Sequence, residues 1–143
     1  MSEALLRKSY DVEAGDFESA GDASAGIKAT LKRLGIPMGI VRRVAIAAYE
    51  AEINLIIHSM GGSLTLTVDG EAICLVSDDR GPGIPSVEKA LQAGWSTAPD
   101  SVRSLGFGAG MGLPNMKKNA DDFTIESTVN VGTHIVMRFL LSP

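Results

Sequence analysis

Cysteine, tryptophan, histidine and basic charge are scarce in this chain. Cys74 is the sole cysteine among 143 residues, so no disulfide framework can form within one chain, and a reducing compartment is the simpler expectation. Lysine and arginine number 13 against 17 acids, a formal net charge of −4. That excess argues against a broad nucleic-acid or anionic-membrane surface. Aromatics make up 5%. No apolar run reaches the 18 or so residues a membrane span needs, and no basic-then-apolar leader opens the chain. These absences set the expectation of a cytoplasmic domain without membrane or nucleic-acid partners. Hydrophobic residues make up 45% and charged ones 21%, a globular balance, and 143 residues suit one domain with a single core, taken here as 1–143.

The pattern along the chain predicts a strand over 4–12 and a small, polar connector over 13–26. A helix follows, with Ile27, Leu31 and Leu34 on one face, ended by Gly35 and Pro37. A longer helix is expected from about 38 to 60. Val41, Val44, Ala45, Ala48, Leu55 and Ser59 share one side, and Ile46, Ile53 and Ile57 form a second apolar side. Such a helix should lie buried between layers. "SLTLTV", Asp69-Gly70 and "EAICLV" predict a hairpin with a type I′ turn. A short helix is expected over 86–94, a long Gly- and Ser-rich loop over 95–110, a third long helix from 111, and strands over 122–128 and 133–141. Hairpins with helices on one face predict an α+β, two-layer sandwich: a mixed, mostly antiparallel sheet covered on one face by three helices.

Four groups of residues have chemical potential. Glu50 and Asn54 are one helical turn apart and project together, a carboxylate beside an amide oxygen suited to a hard cation. Their side of the helix also reads as an ordinary solvent face, with Arg43 on it. Asp79, Gly81 and Gly83 follow a strand in "DDRGPGI" (78–84). This is either a surface turn or a ligand site in which the carboxylate accepts from an exocyclic amine. Glycines 106, 108, 110 and 112 alternate just before a helix, where free backbone amides form an anion cradle; a flexible hinge is the alternative. Lys117 and Lys118 follow in that helix, where solvation is the plainer role. Gly132-Thr133 opens the last strand.

Each group alone is commonplace; their order is not. "YEAEINLIIHS" (49–59), "DDRGPGI" and "GFGAGMGLPNMKK" (106–118) resemble the N, G1 and G2 boxes of the GHKL (Bergerat-fold) ATPase superfamily. "ADDFTIEST" and "VGTHIVM" are similar to the chain ends of bacterial anti-sigma factor serine/threonine kinases. "GAGMGLPNMKK" looks closest to the stressosome switch-kinase branch. The resemblance covers roughly 38–141.

It implies a Bergerat ATP-binding fold and Mg²⁺·ATP as the bound species. Asp79 would accept the adenine N6 amine, with Gly81 and Gly83 against the base. Asn54 would hold Mg²⁺. Gly108, Gly110, Met111 and Gly112 would meet the phosphates under a lid over 95–110, Thr133 would sit near the adenine, and Glu50 would act on the attacking hydroxyl. Some anti-sigma kinases carry an arginine just before the last lid glycines; the matching stretch here is "FGAG", and Arg103 is the nearest candidate. The implied activity is a serine/threonine protein kinase acting on a STAS-domain anti-sigma antagonist, with a sigma factor or other regulatory protein as a further partner. The alternative is a non-enzymatic module whose partner binding responds to ATP or ADP. Related anti-sigma kinases often dimerise; the sequence leaves the oligomeric state open. Glu52, on the apolar side of the long helix, is expected to snorkel or to meet a partner. His58 and His134 are both expected inside core elements.

Overall fold

The computed structural model describes residues 5–81, 83–84, 87–92 and 112–142. The expected lid, with Arg103, and the expected phosphate contacts Gly108, Gly110 and Met111 lie outside the described residues.

Strand β1 (Leu6–Val12) leads through a single 3-10 turn (Phe17–Ser19) to helices α1 (Asp22–Arg33) and α2 (Met38–His58). Then come β2 (Gly62–Val68), β3 (Ala72–Asp79), a one-turn helix α3 (Val87–Ala90), α4 (Gly112–Asn119), β4 (Asp122–Thr128) and β5 (Gly132–Leu140). The five strands run in the order β1-β2-β3-β5-β4. Every pairing is antiparallel, so the described strands show no parallel component of the expected mixed sheet.

Strand alternation decides which face the helices cover. Leu64, Leu66, Val68, Ile73, Leu75, Ile135, Met137 and Phe139 are buried on one face. They form one core with Ile27 and Leu31 of α1, Val41, Val44, Ala48 and Leu55 of α2, and Leu113 and Met116 of α4. The register places Ser77 and Asp79 of β3 and Thr133 of β5 on this same face. The other face bears Thr65, Thr67, Cys74, Val76 and Val136 half-buried. Burial pushes the Cys74 thiol above its ordinary pKa. His134 lies inside β5, an interior strand as expected, but its side chain is on this open face, exposed and paired with Asp78, because its neighbours Thr133 and Ile135 take the inward pleat.

Two local expectations are also corrected. Neither Asp69 nor Gly70 adopts positive φ, so the β2–β3 connection is not type I′. The Asp69 carboxylate accepts the amides of Glu71 (2.7 Å) and Ala72 (2.8 Å), an Asx turn that closes the hairpin by side chain. Those two bonds hold its carboxyl below the ordinary value. Helix α2 is not buried on both apolar sides: Ile53 is buried, Ile57 is half-buried and Ile46 is exposed. Its covered side is the stripe that faces the sheet and α1.

Glu52 neither snorkels nor waits for a partner. It is 2% exposed and accepts the backbone amides of Gly21 (3.1 Å), Ala23 (3.1 Å) and Ser24 (3.0 Å). Helix α1 has no side-chain cap of its own at Gly21; Glu52 caps it from α2, satisfying amides that a helix start leaves open.

Candidate functional site

The polar residues of α2 meet α4 in a ladder. Arg43 donates to the Asn119 carbonyl at 3.2 Å and lies 3.5 Å from Asp121. Glu50 accepts from the Asn115 side-chain amide at 3.2 Å. At Gly112, a methyl group would sit 3.1 Å from Asn54 Oδ1 and 3.2 Å from its Nδ2. As residue number rises along α2 it falls along α4, so the two helices run antiparallel. The first residue of α4 therefore abuts Asn54. Free amides at such a start favour anions. Arg43, expected on a solvent face, instead anchors the opposite end of α4. Lys117 and Lys118 occupy the last turn of α4 and are exposed, away from that start.

A second cluster forms where β3 ends. Thr133 N–H donates to Asp79 Oδ1 at 2.9 Å, and the Thr133 hydroxyl bonds that of Ser127 at 2.9 Å. Ser127 also accepts from the Ile84 amide at 2.7 Å, which ties the turn after Asp79 to the β4–β5 hairpin. Gly83 has φ +74, and a Cβ there would lie 2.5 Å from the Thr128 carbonyl oxygen; only glycine fits both demands. Gly132 packs against the Asp79 backbone. Gly81 donates to the Val131 carbonyl at 3.3 Å and lies beside Ser59 at the end of α2. Burial lifts the Asp79 carboxyl above its ordinary pKa; the Thr133 amide pulls it down and the neighbouring Asp78 charge pushes it up.

The C-terminal part of α2 connects the clusters. Asn54 faces α4, Leu55 packs against Gly62, which pairs with Asp79, and Ser59 meets Gly81. A cleft of about 470 Å³ lined by Asp11, Glu13, Met60 and Arg80 contains none of the expected site residues.

Residues 14–139 match the histidine kinase-like ATPase domain family. The chain belongs to that family. It is 28% identical over 127 residues to an anti-sigma F factor of Geobacillus kaustophilus, covering 85% of this chain and 84% of that protein. It is 28% identical over 108 residues to the serine/threonine-protein kinase RsbT of Bacillus subtilis, covering 73% and 75%. An anti-sigma F factor of Bacillus licheniformis is 30% identical over 119 residues, covering 79% and 78%.

Within this family frame, the described residues fit an adenine nucleotide with a hard cation. Asp79 offers a half-buried carboxylate beside glycines that leave no room for side chains, and Asn54 offers an amide oxygen at the anion-favouring start of α4. Among the described residues no three carboxylate, imidazole or thiol groups gather into a metal site. No described helix is long and apolar enough to cross a membrane.

Sequence reasoning missed Asn115, Ser127 and the capping role of Glu52. Asn115 stands inside the quoted "GLPNMKK", three residues after Gly112. Its partner lies 65 residues away, so only the packing of α4 on α2 reveals the contact. Ser127 carries no signal beyond strand alternation.

Proposed function

We propose that this chain is a Mg²⁺·ATP-dependent serine/threonine protein kinase of the anti-sigma type. It transfers the γ-phosphoryl group to a hydroxyl of a STAS-domain antagonist within a partner-switching pathway, and a sigma factor or similar regulator is its second partner. The observation that carries the reading is the α2–α4 ladder: the Glu50 carboxylate accepts from Asn115 in the middle of α4, and one turn further along α2 the Asn54 amide abuts Gly112, the first residue of that helix.

Asp79 accepts the adenine amine and thereby orients the nucleotide, while Thr133 and Ser127 keep that carboxylate and the turn at 81–84 in place. Asn54 supplies an oxygen to Mg²⁺, which when bound neutralises phosphate charge in the transition state. Gly112 seats the start of α4 directly against Asn54, where backbone amides favour phosphate oxygens, and in this reading Gly108, Gly110 and Met111 are further phosphate contacts. Glu50 orients the acceptor hydroxyl and takes its proton as the new P–O bond forms and ADP departs. Positioning and charge neutralisation contribute more than proton removal in such transfers.

Purified chain, Mg²⁺ and γ-labelled ATP incubated with candidate STAS-domain proteins test the proposal. Transfer of label that Glu50→Ala slows sharply, leaving only a residual single-turnover rate, with ATP binding retained, supports it. Nucleotide-dependent complex formation without any transfer favours the partner-binding module, a reading consistent with the absence of arginine from "FGAG".

A further inference from the structure

We infer that Asn115 is the positioning residue for the Glu50 carboxylate during phosphoryl transfer. The inference rests on the reading of Glu50 given above.

An ionised carboxylate only accepts hydrogen bonds, so the nitrogen of the Asn115 amide must face it. The bond runs from Asn115 Nδ2 to Glu50 Oε1 at 3.2 Å. It engages one carboxylate oxygen and leaves Oε2 for an incoming hydroxyl. Without that bond, a half-exposed glutamate on a helix surface samples several rotamers, and few of them point Oε2 at an acceptor.

Asn115 is itself held firmly. Its neighbours Leu113 and Met116 are buried in the core. Its backbone carbonyl accepts the Asn119 side-chain amide at 2.8 Å, and Arg43 grips the far end of the same helix. Helix α4 is thus fixed at its C-terminal end by Arg43 and seated against Asn54 at Gly112. One short helix sets both what abuts the Asn54 amide and the direction of the carboxylate. A shift of α4 along α2 would move both together, which couples the Gly112–Asn54 contact to Glu50.

The test uses the full-length chain and the STAS-domain acceptor identified by label transfer. Asn115→Ala should lower kcat about 10-fold or more. The KM for acceptor, the ATP dissociation constant and the thermal midpoint should each stay close to wild type. Asn115→Asp, which sets a second negative charge against Glu50, should lower kcat further. In the Glu50→Ala background, single-turnover rates should be unchanged by adding Asn115→Ala, because the group it positions is gone. Equal losses from Asn115→Ala in the presence and absence of Glu50 would overturn the inference, as would unchanged kcat in both Asn115 variants. A chain whose phosphate transfer is slowed sharply by Glu50→Ala, but not by Asn115→Ala, refutes only the role of Asn115. A chain that binds Mg²⁺·ATP and never transfers phosphate refutes the kinase reading and this inference with it.

Discussion

Glu52 is buried and Asp79 half-buried, and their neighbours put them to opposite uses. Glu52 is surrounded by donors: three backbone amides at the start of α1 converge on its two oxygens. Replacing it with alanine leaves those amides buried without partners. The expected loss is about 2–4 kcal/mol, which thermal unfolding would record as a drop of roughly 5–12 °C. Glu52→Gln keeps an acceptor oxygen and should lose less; equal midpoints for Glu52→Ala and wild type would contradict the capping role. Asp79 has one backbone donor, and burial dominates, so its carboxyl pKa is raised. A raised value means the folded state holds that proton more tightly than the unfolded chain does. The group's contribution is therefore stabilising below the ordinary aspartate range and is lost as pH rises through the raised pKa. At neutral pH Asp79→Asn should accordingly raise the apo thermal midpoint while weakening ATP binding about 10-fold or more, since the charged acceptor is gone. Equilibrium dialysis and a melting curve on the same sample check both signs. Acidification through the raised pKa should weaken ATP binding to wild type and leave the Asn variant less affected.

At the scale of elements, the turn after β3 depends on the hairpin that receives it. The Ile84 amide, the Ser127 hydroxyl, Thr133 and Asp79 form one connected set, and Gly83 lies against the Thr128 carbonyl at a φ that L side chains avoid. Gly83→Ala combines positive-φ strain with a backbone collision, so it should lower stability by about 1–3 kcal/mol. It should also weaken ATP binding more than it lowers the melting point would suggest. A variant that melts like wild type and binds ATP normally would show that the turn is not held as described. Element types were legible from pattern alone, because alternation, helical periodicity and glycine stops are local. Turn chemistry was less so. Asp69-Gly70 signals a type I′ hairpin, yet the carboxylate satisfies two amides and the backbone keeps negative φ. Helix α2 misled differently: its second apolar stripe looks buried in sequence, but only Ile53 is buried, and Ile46 stays exposed.

For the whole molecule, the order of the boxes was readable and their closure was not. Glu50, Asn54, Asp79 and the glycine series stand in the order of the family's sequence boxes, which is what made a nucleotide site the expectation. That Asn54 touches Gly112 while Asp79 touches Thr133 is a product of antiparallel helix packing and strand register, which no local window contains. Among the described residues the end of α2 joins the two clusters, so a ligand reaching from Asp79 to Asn54 would brace the sheet against the helical layer. Mg²⁺·ATP should therefore stabilise the whole domain by mass action, about 2.7 kcal/mol at a hundredfold excess over its dissociation constant. For a chain of this size that is a rise of roughly 5–10 °C in thermal midpoint. Asn54→Ala removes the metal-side oxygen but leaves the adenine end intact. It should abolish the extra rise that Mg²⁺ gives over ATP alone while keeping a smaller, metal-independent rise. Asp79→Asn should reduce both. If Asn54→Ala retained the full magnesium increment, the ion would be held elsewhere, and the pairing of α2 with the start of α4 would serve packing alone.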